Sequence, residues 1–350
     1  MSESADWRAD PAWPDVDVVM PILNEAAHLG AALAAVREQA YPGQLRVVMA
    51  IGPSTDGTEA VAADLAAIDP DLVVVDNPTG KTPAALNFAI RAGTAPVVVR
   101  VDGHSQLSGG YIEQAVTTLR RTGASNVGGM QVPVGTTPFE LAVAAATSSR
   151  MGTGGASYRT GGVEAEVDTV YLGVFDRAAI EAVGLFDERL IRNQDYELNI
   201  RLRKAGGTVV FDPELSVGYT PRGSWKALAK QYYEYGQWKA EVLRLHPDSL
   251  KLRQMVPPVA VIGVIASVIL GARRSHRLLP ALAYLALVAV AAERSNHRPR
   301  SVGWTIGALV TLQFSWTFGL ALGGVRRRIS EPLRPLPSVP HDAAQPRPIG

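Results

Sequence analysis

The chain has 350 residues, contains no cysteine, and carries 34 Lys+Arg against 33 Asp+Glu, so its formal net charge is +1. This length allows one large or two ordinary domains with a substantial core. The absence of cysteine excludes a disulfide scaffold, a zinc ribbon or finger, an iron–sulfur site and thiol catalysis. The near-neutral charge argues against a nucleic-acid binder, which normally carries a basic excess.

Short Val-rich runs alternate with Ala-rich helical stretches from residue 15 to about residue 150, after a flexible lead-in that we expect over residues 1–14. The predicted strands are Val16–Pro21, Leu45–Ile51, Leu72–Asp76 and Pro96–Val101, and the predicted helices are Ala26–Gln39, Thr58–Ala67 and Pro83–Ala92. This order predicts an α/β fold of parallel βαβ units with helices on both faces of the sheet. Ligands of such sheets bind beyond the carboxyl ends of the strands.

A second region, about Thr153–His246, has a more mixed pattern. It contains a Gly-rich segment, a predicted strand at Thr169–Phe175, a predicted helix at Gln194–Lys204 and an aromatic stretch at Trp225–Trp238. We treat residues 15–246 as one domain.

The last hundred residues contain three uncharged stretches, Gln254–Ala272, Leu278–Ala292 and Ser301–Val325. Crossing a membrane takes about 20 apolar residues, a length that the third stretch exceeds and the first nearly reaches. We therefore expect a membrane-associated region over residues 247–328 with two to three hydrophobic helices. A buried helical hairpin of a soluble protein is the alternative for the first two stretches. Residues 329–350 contain six prolines, which predicts a disordered tail.

Polar residues follow each of the first three predicted strands. Asn24 and Glu25 follow the first strand, where they could cap a helix or line a ligand crevice. Asp56 follows the second strand in a turn that suits a helix start. Lys81 follows the third strand; the spacing of a P-loop is not met there, because Val75 stands where that motif needs glycine. Lys81 could still neutralise a phosphate, or it could be an exposed lysine.

Asp102-Gly103-His104 follows the fourth predicted strand and is the most informative triplet. A carboxylate and an imidazole two residues apart, together with the phosphate oxygens of a substrate, would suit Mn²⁺, and Mg²⁺ less well. Asp195 lies in the first turn of the predicted helix at Gln194–Lys204. It could cap that helix, or it could take a proton from an acceptor hydroxyl as a general base.

In combination these motifs resemble the family 2 glycosyltransferases, inverting enzymes of the GT-A fold. The residues that carry the resemblance are, in chain order, Pro21–Glu25, Ser54–Thr58, Ala85-Leu86-Asn87, Asp102-Gly103-His104 and Gln194-Asp195. The sequence Arg-Val-Asp-Gly-His and the hydrophobic C-terminal end are most similar to the succinoglycan-type, membrane-associated bacterial glucosyltransferases. The implied fold is a GT-A-like, mostly parallel sheet flanked by helices, with a Rossmann-like nucleotide-binding half and an acceptor half.

The resemblance also implies residue roles. The nucleotide sugar would be bound by Pro21, Asn24, Glu25, Asp56, Lys81, Asn87 and Asp102. Asp102 and His104 would hold a divalent metal, Mn²⁺ or Mg²⁺, on the diphosphate, and Asp195 would be the general base. The Gln-x-x-Arg-Trp motif of processive members is not matched at Gln231–Tyr235, so we expect transfer of a single sugar.

The implied function is transfer of a sugar, expected to be a hexose, from a nucleotide sugar to a lipid-linked saccharide in cell-envelope or exopolysaccharide biosynthesis. The expected partners are a UDP-sugar donor, a polyprenyl-linked acceptor and the membrane, with the catalytic domain on the cytoplasmic side and no nucleic acid. Two alternatives stay open: an enzyme that transfers sugar directly onto polyprenyl phosphate, and a non-catalytic scaffold that binds nucleotide sugars.

Overall fold

The computed structural model describes residues 6–271, 274–295 and 301–326. Its strands are β1 Val16–Ile22, β2 Leu45–Ile51, β3 Leu72–Asp76, β4 Val97–Arg100, β5 Gln106–Leu107, β6 Asn126–Pro133, β7 Ala165–Glu166, β8 Tyr171–Asp176 and β9 Val209–Tyr219. Its α-helices are α1 Leu29–Arg37, α2 Thr58–Ile68, α3 Thr82–Ala92, α4 Tyr111–Thr122, α5 Pro138–Thr147, α6 Arg150–Thr153, α7 Ser157–Thr160, α8 Arg177–Ala182, α9 Gln194–Lys204, α10 Trp225–Leu245, α11 Leu252–Gly271, α12 Leu279–Ser295 and α13 Val302–Arg326. The predicted disordered tail at residues 329–350 lies outside the described residues.

The first four strands form the parallel half of one sheet, as the alternating pattern predicted. β1 lies between β2 and β4, and β2 pairs with β3, all in parallel register. β1, β2 and β4 are mostly buried because one apolar cluster covers each face of the sheet, whereas β3 at the edge is half-buried. The first cluster includes Leu29 and Leu33 of α1, and the second includes Leu86 and Ile90 of α3.

The second half of the sheet is antiparallel where β8 pairs with β4 and β6, and where β9 pairs with β5 and β7. The strand order is β3-β2-β1-β4-β8-β6-β9-β5. The fold is therefore the predicted GT-A-like sheet flanked by helices, but the sheet is mixed. Sequence patterning missed β6 and β9 because Gly129 and Pro213 interrupt them. A Cβ on Gly129 would lie 2.0 Å from the Leu215 carbonyl oxygen, so this close approach of β6 to β9 requires glycine.

Residues 6–14 differ from the expected flexible lead-in. The Trp7 indole donates to Asp176 (3.0 Å), and Arg8 forms an ion pair with the same carboxylate. Trp13 packs against the core cluster and stacks edge-on with Tyr41. These contacts tie the segment to the end of the interior strand β8 and to the core. Residues 1–5 lie outside the described part of the chain.

Contacts divide the described chain into two units: residues 6–131 with 162–218, and residues 132–161 with those described from 219 onward. The first unit contains nearly all of the sheet. The second unit includes residues that precede the membrane-associated region, which was predicted to start at residue 247. The reason is that α5 and α10 pack against α13. Glycines let α10 and α13 approach closely: a Cβ on Gly236 would lie 2.1 Å from the Trp316 carbonyl oxygen.

Three helical segments of the second unit are long and apolar enough to cross a membrane, Leu252–Gly271, Ser275–Ser295 and Val302–Gly324. They correspond to the three uncharged stretches of the sequence. Much of their apolar surface is exposed, including Val256, Ile262 and Leu287. Exposed apolar faces of this length indicate membrane association, since soluble proteins rarely leave such surface in water.

Candidate active site

Two loops at the carboxyl ends of β1 and β2 are joined by hydrogen bonds. The backbone N–H of Asn24 donates to the Ser54 hydroxyl (3.1 Å), and the Asn24 side-chain oxygen accepts from the Thr55 backbone N–H (2.8 Å). Asn24 adopts a left-handed backbone conformation with φ 55°. The helix-cap interpretation of Asn24 is wrong, because the cap position of α1 is His28 and the helix begins at Leu29, five residues after Asn24.

Asp56 also holds the two loops together. Its carboxylate accepts from the backbone N–H groups of Ala26 and Thr58 (both 3.1 Å) and from the Thr58 hydroxyl (2.5 Å). The hydrogen bond from Thr58 lowers the pKa of the Asp56 carboxyl below its ordinary value. Thr58 in turn accepts from the Glu25 backbone N–H (2.9 Å). Asp56 therefore stays ionised and shapes the crevice between the strand ends.

The turn after β3 presents an exposed lysine. Asn77 donates to the Lys81 carbonyl oxygen (3.3 Å) and accepts from the Thr79 hydroxyl (2.8 Å), which fixes the turn. Lys81 is the residue before α3, and its side chain is exposed. A cation at this position can meet an anionic ligand at low desolvation cost.

Asn87 lies in the core and holds another loop. It is fully buried and exchanges hydrogen bonds with the backbone of Phe186 (2.9 and 3.0 Å), and it donates to Glu188 (2.9 Å). These bonds connect α3 to the segment that precedes α9. In this structure Asn87 supports the chain that leads to Asp195, and its predicted contact with the nucleotide sugar stays a prediction.

Arg100, the last residue of β4, joins the two carboxylates that sequence reasoning singled out. Its Nε lies 3.0 Å from Asp102, and its Nη1 forms an ion pair with Asp195. The guanidinium is 6% exposed, whereas the Asp102 and Asp195 side chains are 21% and 30% exposed. One buried cation therefore gathers two partly accessible carboxylates, 93 positions apart in the chain, at the end of a parallel strand.

Opposing influences set the charge of Asp195. Burial raises the pKa of its carboxyl above the ordinary value, the Arg100 charge lowers it, and the neighbouring Asp102 carboxylate raises it again. The net direction is upward. A carboxylate with a raised pKa is a better proton acceptor than an ordinary aspartate, as general-base catalysis requires.

His104 turns toward the loop after β1. Its Nδ1 lies 3.1 Å from the Glu25 carboxylate, and its side chain is 59% exposed. Gly103 allows this approach, because a Cβ there would lie 2.9 Å from Ile22 and 3.3 Å from Glu25. The crevice rim therefore carries an imidazole beside a carboxylate.

The donor set suits a divalent cation in part. Asp102 accepts from Arg100 through both oxygens, yet each carboxylate oxygen has a further lone pair. With the His104 imidazole, the donors are oxygen and nitrogen, which Mn²⁺ accepts more readily than Mg²⁺. The described residues contain no group of three or more potential ligands, so the other ligands would have to come from a diphosphate.

One residue of this site, Arg100, was not predicted from the sequence, and neither was the contact between Glu25 and His104. A signal for Arg100 was present, because an arginine interrupts the apolar run Val97–Val101 and a charge inside a buried strand needs partners. Pro21 lies in β1 before the crevice. The carboxylates Asp102 and Asp195 are brought together as expected, and His104 faces Glu25.

Comparison with known proteins agrees with this architecture. Residues 17–183 match the family described as "Glycosyl transferase family 2". The chain is 35% identical over 257 residues to the "Succinoglycan biosynthesis protein ExoA" of Rhizobium meliloti (strain 1021), a match that covers 72% of this chain and 78% of that protein.

Two more distant proteins are also similar. A dolichyl N-acetyl-alpha-D-glucosaminyl phosphate 3-beta-D-2,3-diacetamido-2,3-dideoxy-beta-D-glucuronosyltransferase of Methanococcus voltae is 24% identical, over 65% of this chain and 74% of that one. A solved structure of the mannosyltransferase PcManGT from Pyrobaculum calidifontis, in complex with GDP-Man and Mn²⁺, covers 90% of this chain and 88% of its own, with a TM-score of 0.57 and 22% identity. The match to the mannosyltransferase structure is a similarity of fold.

Proposed function

Because the chain belongs to glycosyl transferase family 2 and is a glycosyltransferase, we propose that it moves a single hexose from a nucleotide sugar to a lipid-linked saccharide, with inversion at the anomeric carbon. The observation that carries this proposal is the meeting of Asp102 and Asp195 on Arg100 at the carboxyl end of β4. Asp102 would help to hold a metal ion at the departing diphosphate, and Asp195 would take the proton of the attacking hydroxyl.

Asp195 acts as the general base in this proposal. Its carboxylate takes the proton of an acceptor hydroxyl while that oxygen bonds to the anomeric carbon and the bond from that carbon to the diphosphate oxygen breaks. A single displacement from the opposite face inverts the anomeric configuration. The raised pKa of Asp195 favours proton acceptance, and the Arg100 charge opposes that rise and so favours the ionised form that a base needs.

The departing diphosphate needs positive charge. Asp102 and His104 would hold a divalent metal ion. When bound, the ion would stabilise the negative charge of the leaving diphosphate. Lys81 would add a cation from the neighbouring strand end. The Pyrobaculum calidifontis protein binds Mn²⁺ with its nucleotide sugar, which supports a metal-dependent reaction here.

The lipid acceptor is proposed from the three apolar segments and from the relatives. The Methanococcus voltae relative is named for a dolichyl-phosphate-linked sugar, and the Rhizobium meliloti relative for succinoglycan biosynthesis. Apolar helices would keep the catalytic unit beside a polyprenyl-linked acceptor, on the cytoplasmic side where nucleotide sugars occur. We expect a UDP-sugar as donor.

Purified full-length protein and a panel of labelled nucleotide sugars test this proposal, with a membrane lipid extract as acceptor. We expect release of nucleoside diphosphate and label in the lipid fraction. Asp195→Asn should reduce transfer by about 10²- to 10⁴-fold, since that is the usual contribution of a general base. Donor binding should stay close to that of the wild type.

Glu164→Gln is the matched control, because Glu164 is also a carboxylate paired with an arginine, Arg121, but lies on the surface. Retained transfer in Asp195→Asn would reject the base assignment. Label on polyprenyl phosphate alone would identify the enzyme that makes a lipid-linked donor, and donor binding without nucleotide release would identify a scaffold.

A further inference from the structure

Arg159, in the short helix α7, is a cation surrounded by tyrosines. Its Nη1 donates to the Tyr219 hydroxyl (2.7 Å), and its guanidinium lies 5.3 Å from the Tyr219 ring and 5.5 Å from the Tyr158 ring. Two tyrosines of α10, Tyr232 and Tyr235, also interact electrostatically with Arg159. All of these residues belong to the second unit.

The charge of Arg159 is not neutralised by a carboxylate in the described part of the chain, where only tyrosines interact with it. Ring faces stabilise the cation, and burial raises the pKa of Tyr232 so that its phenol stays protonated. A guanidinium has five N–H donors, and one is used here. Four donors therefore remain for an anion, and the phenols of Tyr158 and Tyr232 lie beside them.

The segment that carries Arg159 contacts the first candidate membrane span within the same unit. The backbone of Gly154 approaches the side chain of Arg253, which lies in the first turn of α11, since a Cβ on Gly154 would be 3.9 Å from it. Gln313 of α13 donates to the Met151 carbonyl oxygen (2.9 Å) in the same segment. The segment that carries Arg159 is thus attached to two helices that could cross a membrane.

We propose that Arg159 and its tyrosines bind the phosphate of the lipid carrier of the acceptor. Guanidinium groups recognise phosphate through paired N–H donors, and phenols add hydrogen bonds at the remaining oxygens. Half-burial of Arg159 leaves it accessible to a headgroup while excluding much of the water. This assignment rests on the proposed function, because it names the phosphate-bearing substrate of that reaction.

The test uses radiolabelled polyprenyl phosphate as probe and the immobilised full-length chain in neutral detergent. Wild-type protein should retain the probe, and unlabelled polyprenol should compete at least about tenfold less well than unlabelled polyprenyl phosphate, because only the phosphate pairs with Arg159. Arg159→Gln should weaken retention at least about tenfold. Arg159→Lys keeps the positive charge but lacks the paired N–H donors of a guanidinium, so it should weaken retention several-fold.

Arg150→Gln is the matched control, because Arg150 is an exposed arginine in the same segment. It should retain the probe like the wild type. Arg159→Lys keeps the experiment decisive if Arg159→Gln does not fold. Equal retention by wild type and both Arg159 variants would overturn the proposal, as would equal competition by polyprenol.

Phosphatidylglycerol as competitor separates the two sources of a lipid phosphate. Weak competition supports the acceptor site, and competition equal to that of polyprenyl phosphate overturns it in favour of a general headgroup site. Retention does not require sugar transfer. Arg159-dependent retention in a protein that transfers no sugar would reject the proposed function alone, and normal transfer with Arg159-independent retention would reject this site alone.

Discussion

The two ends of the parallel strands carry opposite arrangements of charge. At the amino end, one fully buried carboxylate, Asp17, lies between two guanidinium groups, those of Arg46 (2.8 Å) and Arg177 (2.6 Å). At the carboxyl end, one buried guanidinium, Arg100, lies between two partly exposed carboxylates. The Asp17 carboxylate is closed to solvent, whereas the Asp102 and Asp195 carboxylates are both partly exposed.

This contrast distinguishes an ion pair that holds the fold from one that can serve a ligand. Asp17 also accepts from the Ala95 backbone N–H (2.8 Å), so both of its oxygens are hydrogen-bonded within the protein, and the residue is fully buried. At the other end a surplus of carboxylate over guanidinium remains. That surplus can be satisfied by a metal ion or by a proton taken from a substrate, as the proposed reaction needs.

The largest effect is expected from Asp17→Asn. Loss of the charge leaves two arginines without their buried partner, which should lower the free energy of unfolding by about 3–5 kcal/mol. Chemical denaturation of the full chain in detergent measures this. Donor binding by the fraction that stays folded should be unchanged, and an unchanged unfolding midpoint would contradict the structural role.

Arg100→Gln changes the cluster at the carboxyl end of the strands, and we expect it to lower turnover. Because Arg100 positions both carboxylates, its loss should reduce turnover roughly a hundredfold. Arg100 also lowers the pKa of Asp195, so its removal raises that pKa and a larger fraction of the base is protonated at a given pH. The acidic limb of the turnover profile should therefore move to higher pH.

A full pH profile of turnover for wild type, Arg100→Gln and Arg100→Lys checks this. Arg100→Lys keeps the charge and should keep the position of the acidic limb. A purely structural role of Arg100 would lower the rate at every pH without displacing the limb.

A pair of glycine substitutions compares the two ends directly. A Cβ on Gly93 would lie 2.1 Å from the buried Asp17 carboxylate. Gly93→Ala should therefore lower the free energy of unfolding by about 1–3 kcal/mol through overpacking. A Cβ on Gly103 would meet only the terminal methyl of Ile22 and the partly exposed side chain of Glu25. Gly103→Ala should therefore leave stability nearly unchanged and raise the KM for the nucleotide sugar. Equal stability losses in thermal melts would remove the distinction between the ends.

The smallest effect is expected from His104→Gln. The imidazole is largely exposed and has one polar contact, with Glu25, so its loss should raise the Mn²⁺ concentration for half-maximal rate by up to about tenfold, the range of one hydrogen-bonded contact. Titration of Mn²⁺ against initial rate measures it. An identical titration curve would show that His104 does not contribute to the metal site.

The parallel half of the sheet was predictable because its signals are local. β2 at Leu45–Ile51, β3 at Leu72–Asp76 and α9 at Gln194–Lys204 have the bounds predicted from valine runs and helical spacing. β6 and β9 were not predicted, since glycine and proline interrupt them and their pairing depends on distant strands.

The sequence alone determined which residues follow the strand ends, because buried strands and helix starts leave local patterns of apolar and capping residues. Only the tertiary structure decided that Asp102 shares Arg100 with Asp195, that His104 faces Glu25, and that tyrosines surround Arg159. Apart from the near neighbours Arg100–Asp102 and Tyr158–Arg159, those partners are far apart in the chain, and local propensity has no information about which groups will meet once the sheet and helices have packed.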